Sequence, residues 1–153
     1  MMKEHFYKLF KFNHWANETV VEFLLEKNIQ EDKILSIASH IYLAQENWYW
    51  RTVGRQTDLP VWDLKTLNEI AEQTSASDQK WLDLISSMDD PGFEGILNYA
   101  NMAGQPHMNT VQDVLIHVIN HATYHRGQII YLIRDKGIKP PSTDYVKYAR
   151  QFL

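Results

Sequence analysis

The chain has 153 residues, 44% of them hydrophobic and 12% aromatic, enough for one domain with a proper core and not comfortably enough for two. With 22% charged residues and a formal net charge of −4 it has the balance of a soluble globular protein, and disorder is excluded. The 15 Lys and Arg residues are scattered among 19 Asp and Glu, so no basic stripe is offered to nucleic acid.

The absence of cysteine removes disulfides and thiolate ligands, and any thiol chemistry would need a thiol from outside the chain. The start, MMKEHFYKLFKFNHW, lacks the apolar core of a signal peptide. No apolar run approaches the ~20 residues that span a bilayer. A cytoplasmic protein without a membrane partner is expected.

The first helix is expected from about Lys3 to Glu26, with Phe6, Phe10, Asn13, Asn17, Val20 and Leu24 on one stripe at about 100° per residue. Two of those six are amides. A second helix is expected from Gln30 or Asp32 to the stop at Gly54. The third opens on Thr66-Leu-Asn-Glu69, which has the form of a capping box, and ends before Asp89-Asp90-Pro91-Gly92. The stretch from Phe93 to His107 is Gly- and Asn-rich without helical period, so a small β-hairpin or ordered loop is expected. The fourth helix should follow an N-cap at Asn109 or Thr110 and run to Lys136, with Gly137 ending it. Pro140-Pro141 blocks further helix, and Ser142 or Thr143 caps a short last one from about Asp144 to Phe152. Four helices of about 20 residues, without βαβ alternation or internal repeat, predict an all-α, antiparallel four-helix bundle spanning 1–153 as a single domain.

The chemistry concentrates in His117-Val-Ile-Asn-His121-Ala-Thr-Tyr-His125-Arg-Gly-Gln128. His121 and His125 project from adjacent turns of one face, a spacing at which two imidazoles can close on one divalent ion if a third ligand arrives from another helix. His40, on a face with Ile37, Leu43, Ala44 and Asn47, is a candidate for that third ligand. His117 shares the stripe but stands two turns, roughly 12 Å, from His125, so either 117/121 or 121/125 is the chelating pair. A lone buried histidine is most simply a packed residue bonded to a carbonyl. Three on the interior of one small bundle make that reading costly, because each needs its own partner while one ion satisfies several.

No Glu is followed three residues later by His, so the pair that marks di-iron carboxylate bundles is missing, and Ala122 after His121 removes the metalloprotease motif. A His-only mononuclear site remains, suited to zinc, nickel, copper or iron.

Phe12-Asn-His-Trp15-Ala-Asn17, Ser39-His40-Ile41, Asn120-His121-Ala-Thr-Tyr-His125-Arg-Gly-Gln128 and Pro140-Pro-Ser-Thr-Asp144-Tyr145 resemble, in order and spacing, the signatures of the DinB/YfiT-like superfamily of metal-dependent enzymes. The resemblance covers nearly the whole chain. It implies a four-helix bundle with a crossover connection, commonly a homodimer, binding one divalent ion per chain through three histidines. Carried over, the ligands are His40, His121 and His125, leaving His117 to support the ligands from outside or to pack beside them. Zinc or nickel is the leading expectation for the ion.

An open three-histidine site can lower the pKa of water or of an external thiol, so that hydroxide or thiolate becomes available near neutral pH. The expected function is therefore a metal-dependent enzyme acting on a small molecule, with a low-molecular-weight thiol S-transferase in front. A hydrolase using metal-bound water is the alternative, and a non-catalytic, stress-induced metal-binding protein is a third possibility. Asn13, His14, Asn17, Tyr124 and Gln128 are candidates for orienting the ligands or a substrate, although for Asn13 and Asn17 a role linking helices is the simpler one. Arg126 lies about 140° from His121 and is expected to serve structure or an interface. Phe12, Trp15, Phe23, Tyr42, Tyr49 and Val53 face away from the interior stripes, which implies a second buried surface, covered in part by the C-terminal helix and otherwise by a partner copy.

Overall fold

The computed structural model describes residues 1–57 and 59–152. Four long helices dominate it: α1 (Met2–Glu26), α2 (Asp32–Thr52), α3 (Leu67–Ser87) and α5 (Val111–Asp135). A five-residue helix α4 (Asp90–Glu94), the hairpin β1 (Ile96–Ala100) and β2 (Pro106–Thr110), and a C-terminal helix α6 (Tyr145–Ala149) ending in a 3₁₀ turn complete it.

Local chemistry fixes most boundaries. Thr66 and Glu69 form a full capping box at the start of α3, and Thr110 with Asp113 forms another at the start of α5, so two orphan N–H groups are satisfied at each end. Gly54 and Gly137 sit at φ +77° and +75° just beyond α2 and α5, where a Cβ would be strained. The one unexpected element is α4. Asp89 caps it through the Gly92 N–H and Pro91 falls in its first turn, so the residues that stop α3 also start a new turn of helix. The hairpin pairs antiparallel, Ile96 opposite Thr110 and Ala100 opposite Pro106, with the Asn101 side chain accepting from the Ala103 and Gln105 N–H groups at its turn.

The interior has three layers along the bundle axis. At one end Val20, Leu24, Ile34, Ile41, Ile70, Ile129 and Ile133 pack together, and at the other Phe6, Phe10, Trp81, Ile85, Phe93 and Leu115 do so. Between them lies a polar layer containing Asn13, Asn17, Gln45, Asp78 and Arg126, all buried. The outward aromatics of α1 are accounted for at Phe12 and Trp15, which pack against Tyr148 of α6. Tyr42 and Tyr49 are covered within the bundle, Tyr49 against Trp81, whereas Val53 is exposed.

Helix directions follow from paired contacts. Ser39 meets Lys65, Gln45 meets Asp78 and Tyr49 meets Trp81, so α2 and α3 run parallel, and the all-antiparallel arrangement expected from four helices in succession is corrected at this pair. Their connection must therefore return along the length of α2, and residues 53–57 and 59–66 belong to that crossover strap. It passes directly over His40, whose ring stacks on Trp62 at 3.7 Å and 2°. No helix among the described residues is long and apolar enough to cross a membrane.

Candidate metal centre

His40 from α2 and His121 and His125 from α5 converge on one point, with one nitrogen of each within 4.8 Å of the others. The i, i+4 spacing on α5 aims two rings the same way, 4.4 Å apart by centroid, and the antiparallel approach of α2 brings His40 to 4.9 and 4.6 Å from them.

The tautomers follow from the outer partners. His40 Nδ1 lies 2.5 Å from the Val61 carbonyl oxygen, and His125 Nδ1 lies 2.7 Å from Gln128 Oε1. A carbonyl oxygen only accepts, so both Nδ1 atoms carry the proton and both Nε2 atoms present a lone pair inward. This outer bonding is the arrangement by which metal-ligating imidazoles are usually oriented. His40 Nε2 then stands 3.1 Å from His121 Nε2. Two nitrogen ligands on one tetrahedral zinc are separated by roughly 3.3 Å, given bonds of about 2.0–2.1 Å. The donor set therefore fits a divalent ion, with the widest pair having to draw in by ring rotation.

Protons are poor substitutes for that ion. Burial, with the neighbouring rings of His125, His40 and His117 adding to it, pushes His121 down to about 4. Burial likewise lowers His40 despite the Val61 bond, and lowers His117. Neutral imidazole is the form a metal takes.

His117 stands outside the cluster. Its ring is 5.6 Å from His121 and packs edge-on to Trp48 at 5.1 Å, so the convergent pair is 121/125 and not 117/121. Tyr124 is 65% exposed, its ring 5.0 Å edge-on to His125, at the outer margin of the site. Gln128 holds His125 directly.

Asn13, Asn17 and His14 are engaged elsewhere. Arg126 Nη1 donates to Asn13 Oδ1 (2.7 Å) and Asn17 Oδ1 (2.6 Å); Asn13 Nδ2 donates to Gln45 Oε1 (2.7 Å); Asn17 Nδ2 reaches Asp78 Oδ1 (3.0 Å); and Gln45 Nε2 also donates to Asp78 (2.8 Å). Burial lowers the Arg126 guanidinium to about 10, opposed by the Asp78 charge. His14 lies 3.4 Å from Asp78, a hydrogen bond that raises its pKa. No hydrogen bond joins these three residues to the three histidines among the described residues. The helix-linking role is the one the geometry displays for Asn13 and Asn17.

Sequence reasoning missed Val61 and Trp62, for which the strap carries no periodic signal. It also missed Asp78, which had one: an acid on the α3 stripe of Ile70, Thr74, Trp81 and Ile85 needs a buried partner.

The model of the DinB family matches residues 2–151. Protein DinB of Bacillus subtilis (strain 168) is 28% identical over 166 aligned positions, covering 96% of this chain and 95% of that one. A DinB-like protein from Bacillus cereus ATCC 10987, solved by crystallography, superposes with a TM-score of 0.68 at 19% identity over 91% of this chain and 95% of its own, which shows a shared fold. With the family model matching from the first turn of α1 to the C-terminal 3₁₀ turn, the chain belongs to the DinB family.

Proposed function

We propose that His40, His121 and His125 hold one divalent ion per chain, zinc or nickel, and that the protein is a metal-dependent enzyme acting on a small molecule, with S-transfer from a low-molecular-weight thiol as its reaction. The observation that carries the metal reading is the pair of Nε2 atoms 3.1 Å apart, of which His40's is denied a proton by its outer hydrogen bond. When bound there, a divalent ion supplies Lewis acidity that makes a thiol or water more acidic.

The chain's own residues define the rest of the site. Val61 and Gln128 fix the His40 and His125 rings, and the indole of Trp62, 53% exposed, roofs His40 against solvent. Among the described residues no carboxylate joins the cluster, so the site adds no negative charge of its own and suits an anionic sulfur donor. The chain offers no cysteine, so the thiol comes from outside. Assembly as a homodimer belongs to the same reading; sedimentation at micromolar concentration showing only an 18 kDa species would refute it.

The deciding experiment starts from protein made without a His-tag, assayed for metal content. It is then incubated with a chromogenic electrophile and a panel of bacillithiol, glutathione, mycothiol and cysteine, beside ester and amide substrates. Thiol consumption that needs the metal supports S-transfer. Ester or amide cleavage lost on chelation, with no enzyme-dependent thiol consumption, would replace it with hydrolysis. Large stabilisation by metal with neither activity would leave a structural ion.

A further inference from the structure

A cavity of about 640 Å³ opens between the last turns of α2, the strap and the hairpin, lined among others by Asn47, Arg51, Arg55, Asn98, Tyr99 and Asn101. In a chain of net charge −4, its described lining residues carry two guanidinium groups and no carboxylate.

Arg51 is the centre of it. Its guanidinium lies 4.8 Å from the Trp48 ring centroid and 5.2 Å from that of Tyr99, so two aromatic rings fix its position. Burial lowers its pKa, and the one titratable group that opposes this among the described residues is Tyr99, not an acid. A structural role as a helix-end cap is already filled by backbone, because Val53, Gly54 and Arg55 N–H groups bond the Tyr49, Arg51 and Trp50 carbonyls. One turn before Arg51 on the same face, Asn47 is 4% exposed and its Oδ1 has no hydrogen-bond partner. A half-buried guanidinium that meets no side-chain acceptor among the described residues, in a cavity wall that also carries the Asn47 amide, is the complement of an anionic ligand.

We propose that this cavity binds the carboxylate of an organic acid, with Arg51 holding the carboxylate. The planar guanidinium fork matches a carboxylate bidentately. Leu59, Tyr99 and Met102 provide apolar wall for an organic body. The site lies at the carboxyl end of α2, where the helix dipole opposes a doubly charged phosphate more than a single carboxylate. Asn47 is seven residues beyond His40 on one stripe, about 10 Å along the axis, and His117, Trp48 and Tyr99 form an edge-to-face row between the two sites. An acid held here would extend its far end toward the histidines; that extension, unlike the carboxylate site itself, rests on the metal-dependent reading above.

The test uses full-length, metal-free protein and N-acetylphenylalanine as probe, followed by the indole N–H signal of Trp48 in a nitrogen-15 spectrum. Saturable binding is expected, at least about tenfold weaker for the uncharged N-acetylphenylalaninamide and at least about tenfold weaker in Arg51→Gln, while the exposed Lys139→Gln binds as the parent does. His121→Ala should leave the affinity within about twofold; a large loss would put the carboxylate on the histidine cluster and overturn the proposal. Equal binding of acid and amide, undiminished binding by a folded Arg51→Gln, or stronger competition by inorganic phosphate than by the acid would each overturn it as well. Should Arg51→Gln fail to fold, phenylglyoxal labelling of Arg51 in the parent protein decides: protection by the probe supports the site and absence of protection refutes it.

Discussion

Two polar regions interrupt the apolar bundle, and consecutive residues of α5 open onto them: His125 turns into the histidine cluster, and Arg126, about 100° further round, into the buried layer. The buried layer closes on itself. The Arg126 charge reaches the Asp78 charge through Asn13, Asn17 and Gln45, each amide donating and accepting, and among the described residues only Arg126 Nε in this chain of bonds lacks a partner. The histidine cluster is held on its outer side by Val61 and Gln128, while on its inner side His40 Nε2 meets another imidazole nitrogen, that of His121, at 3.1 Å. Polar groups that complete each other fasten helices together; imidazoles whose inner nitrogens converge can take a cation.

The largest effect that would break this comparison is loss of metal. His40→Ala, His121→Ala or His125→Ala is expected to abolish tight binding, whereas His117→Ala or Gln128→Ala should weaken it by about 10–100-fold, as removal of an outer partner does. Calorimetric titration with zinc checks this, and retention of metal by His125→Ala with its loss in His117→Ala would reverse the assignment of the pair.

In the closed layer the expected loss is of stability instead. Arg126→Ala strips the buried Asn13 and Asn17 oxygens of their donor and leaves His14 as the cation beside Asp78, a change costing on the order of 3 kcal/mol. Urea unfolding should show the same loss with and without chelator, and a loss that appears only in the metal-loaded protein would merge the two regions.

Acid should separate them with a smaller effect. His121 is held at about 4 against 6.5 in the unfolded chain, and His40 is lowered too. Above 6.5 both states are neutral and nothing is lost; between 6.5 and about 4 the unfolded chain takes up a proton that the folded one refuses, so stability falls as pH falls. With solvent access to the ring allowed for, the loss is on the order of 2 kcal/mol. His14 has the opposite sign, because its raised pKa contributes stability below its ordinary value that is lost as pH rises through the folded one. Unfolding of metal-free protein at pH 7.5, 6 and 4.5 should thus show a decline on acidification that His121→Gln reduces; an equal decline in that variant would refute the assignment.

The smallest expected effect is at the strap. Trp62→Ala removes the stack on His40 without touching a ligand nitrogen, so zinc affinity should fall less than about tenfold, with faster release in a chelator chase. A loss as large as that of His40→Ala would make the strap essential to the site.

Much of this was legible in advance because it depends on local periodicity. The i, i+4 pair of His121 and His125 follows from helical geometry, and so do the amides on the α1 stripe and the Thr66–Glu69 capping box. The third ligand was legible only as a candidate, since nothing in the order of residues says which face of α2 meets which turn of α5. The α4 turn was hidden because Asp89, Pro91 and Gly92 serve equally as a helix stop and a helix start.

By itself the sequence determined the four amphipathic helices, their caps and stops and the one-turn spacing of two imidazoles, all set by interactions within a few residues. Tertiary structure alone decided the parallel course of α2 and α3, and with it the strap that lays Val61 and Trp62 on His40, because that placement depends on how whole helices pack and not on any local preference. It also decided that Asp78, 65 residues from Asn13 along the chain, would meet Asn17, Gln45 and Arg126 in one layer: a buried charge finds its partners through packing of the bundle, at sequence distances that no periodicity encodes.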